Sequence, residues 1–177
     1  MKVEKVNLPE TSLLLKNEYD YSDSFISEFI DKEDTIDILV VTKAFFSTSP
    51  KWIEKLFLLR NKIVAIFGLK TGDSLEKRKE TLNNFRGDIG DKVGIFKVFD
   101  KSENEIILGE DDMHLNFRVS LLLDSKPNSS KNLTISTIVN FNNWFGKLYF
   151  LPVKPFHKLI VPTMLKSTIR GSIAPNQ

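Results

Sequence analysis

Cysteine is absent from the 177 residues, and histidine is scarce, with only His114 and His157. The first absence excludes disulfides, thiolate nucleophiles and Cys-ligated metals. The second leaves no pair of histidines at the i, i+4 or short Cys/His spacing of a metal site, so no metal and no other cofactor is expected. Charge of one sign is lacking too: 25 basic residues stand against 23 acidic ones, for a net charge of +2. No block of Lys and Arg interrupts that balance, which argues against a nucleic-acid partner. Long hydrophobic runs are missing as well. The nearly uncharged stretches fall well short of the ~20 residues that span a bilayer, so no stable membrane insertion is expected. Met1 to Lys16 carries charges throughout and lacks the apolar centre of a secretory signal. A cytoplasmic location is the expectation, and the sequons at Asn128 and Asn132 then carry no glycosylation meaning. Gly87, Gly90 and Gly94 match neither a P-loop nor a dinucleotide fingerprint.

What is present is the composition of a globular domain, 41% hydrophobic and 27% charged, in the range of packed proteins. The chain opens with a lead-in to about Thr35 that holds Tyr19, Tyr21, Phe25 and Phe29, and its Asp20-Tyr21-Ser22-Asp23-Ser24 run reads as turn chemistry. Ile36 to Val41 is β-branched and reads as a first strand. Ser49 as N-cap and Pro50 at the first helical position start a helix. Trp52, Leu56, Leu59, Ile63 and Phe67 line its apolar face up to a stop at Gly68, as one helix or as a pair broken near Arg60-Asn61. A short exposed helix is expected over Leu75 to Phe85. Val93 to Phe99 and Glu105 to Gly109 then flank a hairpin turn. Met113, Leu115, Phe117, Val119, Leu121 and Leu123 point one way, and Asp112, His114, Asn116, Arg118 and Ser120 the other. A loop at Asp124 to Asn132 returns the chain to Leu133, Ile135, Thr137, Val139 and Phe141.

From Asn143 to about Ser167 the period becomes helical. Phe145, Leu148, Tyr149, Pro152, Phe156, Leu159, Ile160 and Met164 keep one phase, and Pro152, Pro155 and Pro162 should bend the helix without ending it. Helices at both ends of a run of strands define an α+β domain, with an antiparallel sheet wrapped around a long kinked C-terminal helix and a helical pair after the first strand. The expected domain is single, with a core over about 20–168, a mobile lead-in over 1–19 and a mobile tail over 169–177.

Three strings carry a resemblance. The first is Ser49-Pro50-Lys51-Trp52 with Leu59-Arg60-Asn61-Lys62-Ile63-Val64 and Gly68-Leu69. The second is Met113-His114-Leu115-Asn116-Phe117-Arg118-Val119-Ser120-Leu121. The third runs from Leu133 to Val139, then Asn142-Asn143, Gly146, Tyr149 and Pro155-Phe156-His157-Lys158-Leu159-Ile160-Val161-Pro162. Over roughly Asp20 to Lys166 the chain resembles a bacterial domain-of-unknown-function family of the START-like superfamily, also called SRPBCC or Bet v 1-like helix-grip. The resemblance implies a cavity between the concave sheet face and the long helix. Superfamily members typically hold lipids, sterols, polyketides or hormones there, and a few are cyclases or hydrolases. Fold alone does not choose among these.

The candidate ligand-binding residues follow from that picture. Trp144, Phe145, Tyr149 and Phe156 form an aromatic helix face that serves as core or as pocket roof. His157 follows Phe156, and Phe117 faces them from the sheet. His114 and Arg118 share a strand face with Asp112, either as an anion clamp or as a solvated salt bridge. No catalytic residue is assigned, because no nucleophile sits at a defined distance from a base. The leading expectation is a non-catalytic binder of a small apolar or amphipathic ligand. A cyclase- or hydrolase-like enzyme using a cavity histidine and a protein-interaction domain with a filled core are the alternatives, and a homodimer is left open.

Overall fold

Asp37 decides how the chain enters its first helix. Its carboxylate accepts a 2.7 Å hydrogen bond from the Val40 backbone N–H, the N-cap arrangement that satisfies a first-turn donor. Helix α1 therefore spans Ile38–Ser47, where the residues had suggested a strand over Ile36 to Val41. Ile38, Val41, Thr42 and Phe45 recur at helical spacing and are all buried. The period outweighs the β-propensity of the Ile and Val residues, which is a weak preference.

The computed structural model describes residues 1–53, 55–56, 58 and 75–173. Residues 51–53 are helical, as expected after Pro50. Residues 55–56 and 58 are helical too, and the rest of that predicted helix, including Leu59, Ile63 and Phe67, lies outside the described residues. Helix α2, Leu75–Asn84, matches the short helix expected there.

Seven strands form one sheet in the order β1-β2-β7-β6-β5-β4-β3. They are β1 Val3–Val6, β2 Tyr21–Ile30, β3 Lys92–Val93, β4 Phe96–Lys101, β5 Glu105–Asp111, β6 Leu115–Ser125 and β7 Ser130–Phe141. Every pairing is antiparallel. With helix α3, Trp144–Thr168, this is an α+β protein with a seven-stranded antiparallel sheet and a long C-terminal helix. The segment read as a lead-in holds two strands. The second of them, β2, pairs with β7 along ten residues, so the Asp20–Ser24 run is the start of an inner strand and not a turn. The first helices consequently follow the second strand.

The two sheet faces are unequal. Phe25 and Phe29 of β2, Leu133 and Ile135 of β7, Val119, Leu121 and Leu123 of β6, and Ile106 and Leu108 of β5 pack against α1 and the C-terminal half of α3. The opposite face buries Ile107 and Ile138 under Leu14, which belongs to a 3-10 turn at Leu13–Lys16. The Glu105 carboxylate, 1% exposed, holds that turn down. It accepts from the Ser12 hydroxyl at 2.6 Å and the Leu13 N–H at 2.8 Å, and also from Ser120.

Helix α3 is one continuous element through its three prolines. Pro152 and Pro155 are exposed, so their rings sit on the solvent side of the helix. Asn143 caps the helix by accepting from the Gly146 N–H at 3.0 Å, and its amide donates to the Met113 carbonyl at 3.0 Å. The buried stripe is Gly146, Phe150, Val161, Met164, Leu165 and Thr168. Leu148, Pro152, Phe156 and Leu159, placed on the apolar stripe by the sequence reading, face solvent. The helix has two apolar sides, and periodicity alone could not say which one is covered.

Candidate functional site

Strand alternation places Tyr21, Asp23, Phe25 and Phe29 on the helix-covered face of the sheet. Register then sets Asp23 directly opposite Thr137, with Val119 next in the same row. Asp23 and Thr137 are 4% and 3% exposed. A carboxylate on a face otherwise built of Phe, Ile, Leu and Val is costly unless it is hydrogen-bonded.

Asp23 finds partners on one oxygen. The Tyr21 hydroxyl donates to Asp23 Oδ2 at 2.7 Å, and His157 Nδ1 of α3 stands 3.0 Å from the same atom. A carboxylate only accepts, so Nδ1 carries the proton of this bond. Burial, the hydrogen bond to Asp23 and the Asp23 charge push the Tyr21 phenol well above its ordinary range. Phe150 meets the Tyr21 ring edge-on at 4.9 Å, and the Lys154 ammonium lies 5.1 Å from its centroid. Asp23 Oδ1 and the Thr137 hydroxyl have no hydrogen-bond partner among the described residues. An acceptor and a donor-acceptor, side by side and buried, can fix one polar group from outside the chain.

The residues expected to contact a ligand separate into three places. His157 joins the Asp23 cluster. Phe145 and His114 pack together at the start of α3, with ring centroids 4.6 Å apart. There Asn143 Nδ2 lies 3.3 Å from His114 Nδ1, and Tyr149 is half-buried nearby on the same helix. Phe117 meets Phe96 edge-on at 5.6 Å. Trp144 and Phe156 are exposed on the outer side of α3.

The expected patch of Asp112, His114 and Arg118 is arranged differently. β6 begins at Leu115, so His114 belongs to the turn before it and escapes the strand's alternation. Arg118 lies on the other sheet face, donates to Asp111 Oδ1 at 2.7 Å and stacks 3.5 Å from the Phe99 ring centroid. A polar cleft of about 190 Å³ opens beside it, lined by Asn17, Glu18, Asn116, Arg118, Ile138 and Asn140. Strand parity separates this cleft from Asp23 and Thr137, which point through to the opposite face.

Sequence reasoning missed Tyr21, Asp23 and Thr137. The signal was available: Tyr21, Asp23, Phe25, Ser27 and Phe29 alternate with mostly polar neighbours. An acid on the aromatic side of that alternation marks a buried carboxylate.

Together the sheet, the covering helix and the buried polar cluster define an α+β domain with a candidate site at the helix–sheet seam. The chain belongs to the family described as protein of unknown function (DUF2867), whose model matches residues 15–164. No curated protein and no solved structure matches it.

Proposed function

We propose that the protein binds a small apolar or amphipathic molecule at the seam between α3 and the sheet, with its polar end at Asp23, Thr137 and His157. The observation that carries this reading is the pair of unpartnered buried atoms, Asp23 Oδ1 and the Thr137 hydroxyl. Each such group costs about 1–3 kcal/mol when left unsatisfied, and a ligand that satisfied both would recover that free energy on binding. Their chemistry restricts the ligand. Asp23 Oδ1 accepts and does not donate, so the polar end must bring an O–H or N–H, and a carboxylate head would be repelled. A hydroxyl-bearing amphiphile supplies such a donor, and its apolar body would have to enter between α3 and the sheet among core residues such as Phe25, Ile135 and Val161.

The long C-terminal helix supports the same reading: it crosses the face that β2 and β7 share, as the START-like helix-grip resemblance implies, although the first helices follow the second strand and not the first. His157 is oriented by Asp23 as a general base would be, yet no nucleophile is hydrogen-bonded to its ring among the described residues. That arrangement favours binding over catalysis.

The test is native mass spectrometry of the purified protein, followed by melting scans with long-chain alcohols, sterols and fatty acids. Hydroxyl-bearing compounds should raise the melting temperature. A ligand at a hundred times its Kd adds about 2.7 kcal/mol of stability. Asp23→Asn and Thr137→Val should abolish the shift. The reading fails if nothing copurifies and no compound in the panel stabilises the protein.

A further inference from the structure

The outer side of α3 is as apolar as its inner side. At 100° per residue, Trp144, Leu148, Leu151, Pro155 and Leu159 fall within an arc of about 80°, opposite the buried stripe. Trp144 is 74% exposed, Leu151 65% and Leu159 62%. Met113, 71% exposed, extends the stripe at the helix start, where Asn143 bonds its carbonyl. Large aromatic and aliphatic side chains in one exposed row mark a contact surface.

Charge indicates what the row meets. Lys147, Lys154 and Lys158 lie within about 40° of one another along one flank of the stripe, and Lys166 stands further along the helix. The helix contains no Asp or Glu. Lys147, Lys154 and Lys158 form no ion pair among the described residues. In a protein whose net charge is only +2, four lysines on one helix without an acid are a local excess.

We propose that the outer face of α3 is a peripheral docking surface for an anionic lipid bilayer. Trp and Leu beside a row of Lys is the composition of a helix that lies in the headgroup plane, the apolar stripe below and the ammonium groups at phosphate level. No described helix is long and apolar enough to cross a membrane, and a surface role does not need one. A second copy of the chain fits less well. Stacked stripe against stripe, two copies of α3 would bring lysine rows together with no carboxylate on either helix to answer them. The inference stands on the exposed side of α3 and shares with the seam site only Lys154, whose ammonium lies over the Tyr21 ring.

The experiment is co-sedimentation with vesicles of phosphatidylcholine, with and without phosphatidylserine, at low and high salt. The protein should pellet with the anionic vesicles, less so at high salt, and stay in solution with the neutral ones. The emission of Trp144, read in a Trp52→Phe background, should shift to the blue on binding. Each lysine neutralised should lower partitioning about fivefold. Lys147→Gln, Lys154→Gln and Lys158→Gln combined should therefore lower it about a hundredfold with the fold intact by circular dichroism. Leu151→Glu should also release the protein. Asp23→Asn should bind vesicles as the parent does, which separates this surface from the seam site. The proposal is overturned if the parent ignores anionic vesicles, or if the triple variant binds undiminished. It is equally overturned if light scattering shows a dimer that Leu151→Glu dissociates, because the stripe then belongs to a second copy.

Discussion

Asp31 and Lys131 show how much one buried pair can hold. Lys131 Nζ lies 2.8 Å from Asp31 Oδ2 and 2.7 Å from Asp34 Oδ1, and donates to the Ile36 carbonyl at 2.8 Å. Asp31 also accepts from the Ile36 and Thr35 N–H groups at 2.9 and 3.3 Å, which fixes the turn that leads into α1. Burial opposes ionisation of Asp31, but the bonds from Lys131, Ile36 and Thr35 outweigh it and hold the carboxyl below its ordinary 3.8. Burial likewise opposes the Lys131 charge, and Asp31 and Asp34 outweigh it to raise that ammonium above 10.5. The lowered acid contributes stability that is complete above pH 3.8 and fades as pH falls through its folded-state value. The raised base contributes below pH 10.5 and fades as pH climbs through its own. Asp31→Asn should therefore cost about 3 kcal/mol at neutral pH, at the low end for a broken buried pair because Asp34 remains. In urea unfolding at stepped pH, the gap to the parent should narrow below the ordinary carboxylate range. A gap that stayed constant through that window would show that the charge is irrelevant. Tyr21 is tested at the same scale. Tyr21→Phe removes a hydrogen bond to a buried carboxylate and should cost about 2 kcal/mol. In an alkaline absorbance titration, the phenol that Tyr21→Phe removes should be one that ionises above the ordinary tyrosine range.

For the elements, Gly146 sets two effects against each other. Ala is the better helix former by about 1 kcal/mol, so propensity alone predicts that Gly146→Ala stabilises α3. A Cβ at Gly146, however, would stand 2.0 Å from the His114 carbonyl oxygen, a backbone atom that cannot turn aside. Overpacking of that kind costs about 1–3 kcal/mol or more, so the substitution should destabilise. Denaturant unfolding gives the sign directly, and stabilisation would mean that α3 does not rest on the β5–β6 turn. The hairpin, the long strands around Leu121 and Ile135 and the unbroken C-terminal helix all announce themselves by period and length. β2 and α1 did not. Ser and Asp in β2 imitate a turn, and Ile38 to Val41 imitates a strand. The deciding facts are β2's ten-residue pairing with β7 and the cap at Asp37, one long-range and one a single hydrogen bond. The orientation of α3 was hidden for a related reason: both its sides are apolar, and only the neighbouring sheet distinguishes them.

Across the whole molecule, the seam site was half legible. His157 was found because histidines are few, while its partner Asp23 and the neighbouring Thr137 come from strands more than 100 residues apart in the chain, joined only by the register of β2 with β7. That geometry makes a prediction about motion. β7 and β6 are inner strands bonded on both sides, and their centres are buried on both faces. Their amides should open only with global unfolding. β1, at one edge, and β3, at the other, are short and should exchange early. α3 is intermediate. Its inner stripe is anchored by Val161, Met164 and Leu165, but Trp144 to Leu159 is tied to the sheet through Phe150, the Asn143 cap and the His157–Asp23 bond, and its prolines remove backbone hydrogen bonds. Hydrogen exchange should therefore show the N-terminal half of α3 opening below the free energy of global unfolding while β7 stays closed. His157→Ala should accelerate that half and leave β7 unchanged. A hydroxyl-bearing ligand at Asp23 and Thr137 should slow it. If the whole of α3 exchanged with β7 in one cooperative unit, the seam would have no local route of entry, and a ligand could reach Asp23 only through global unfolding.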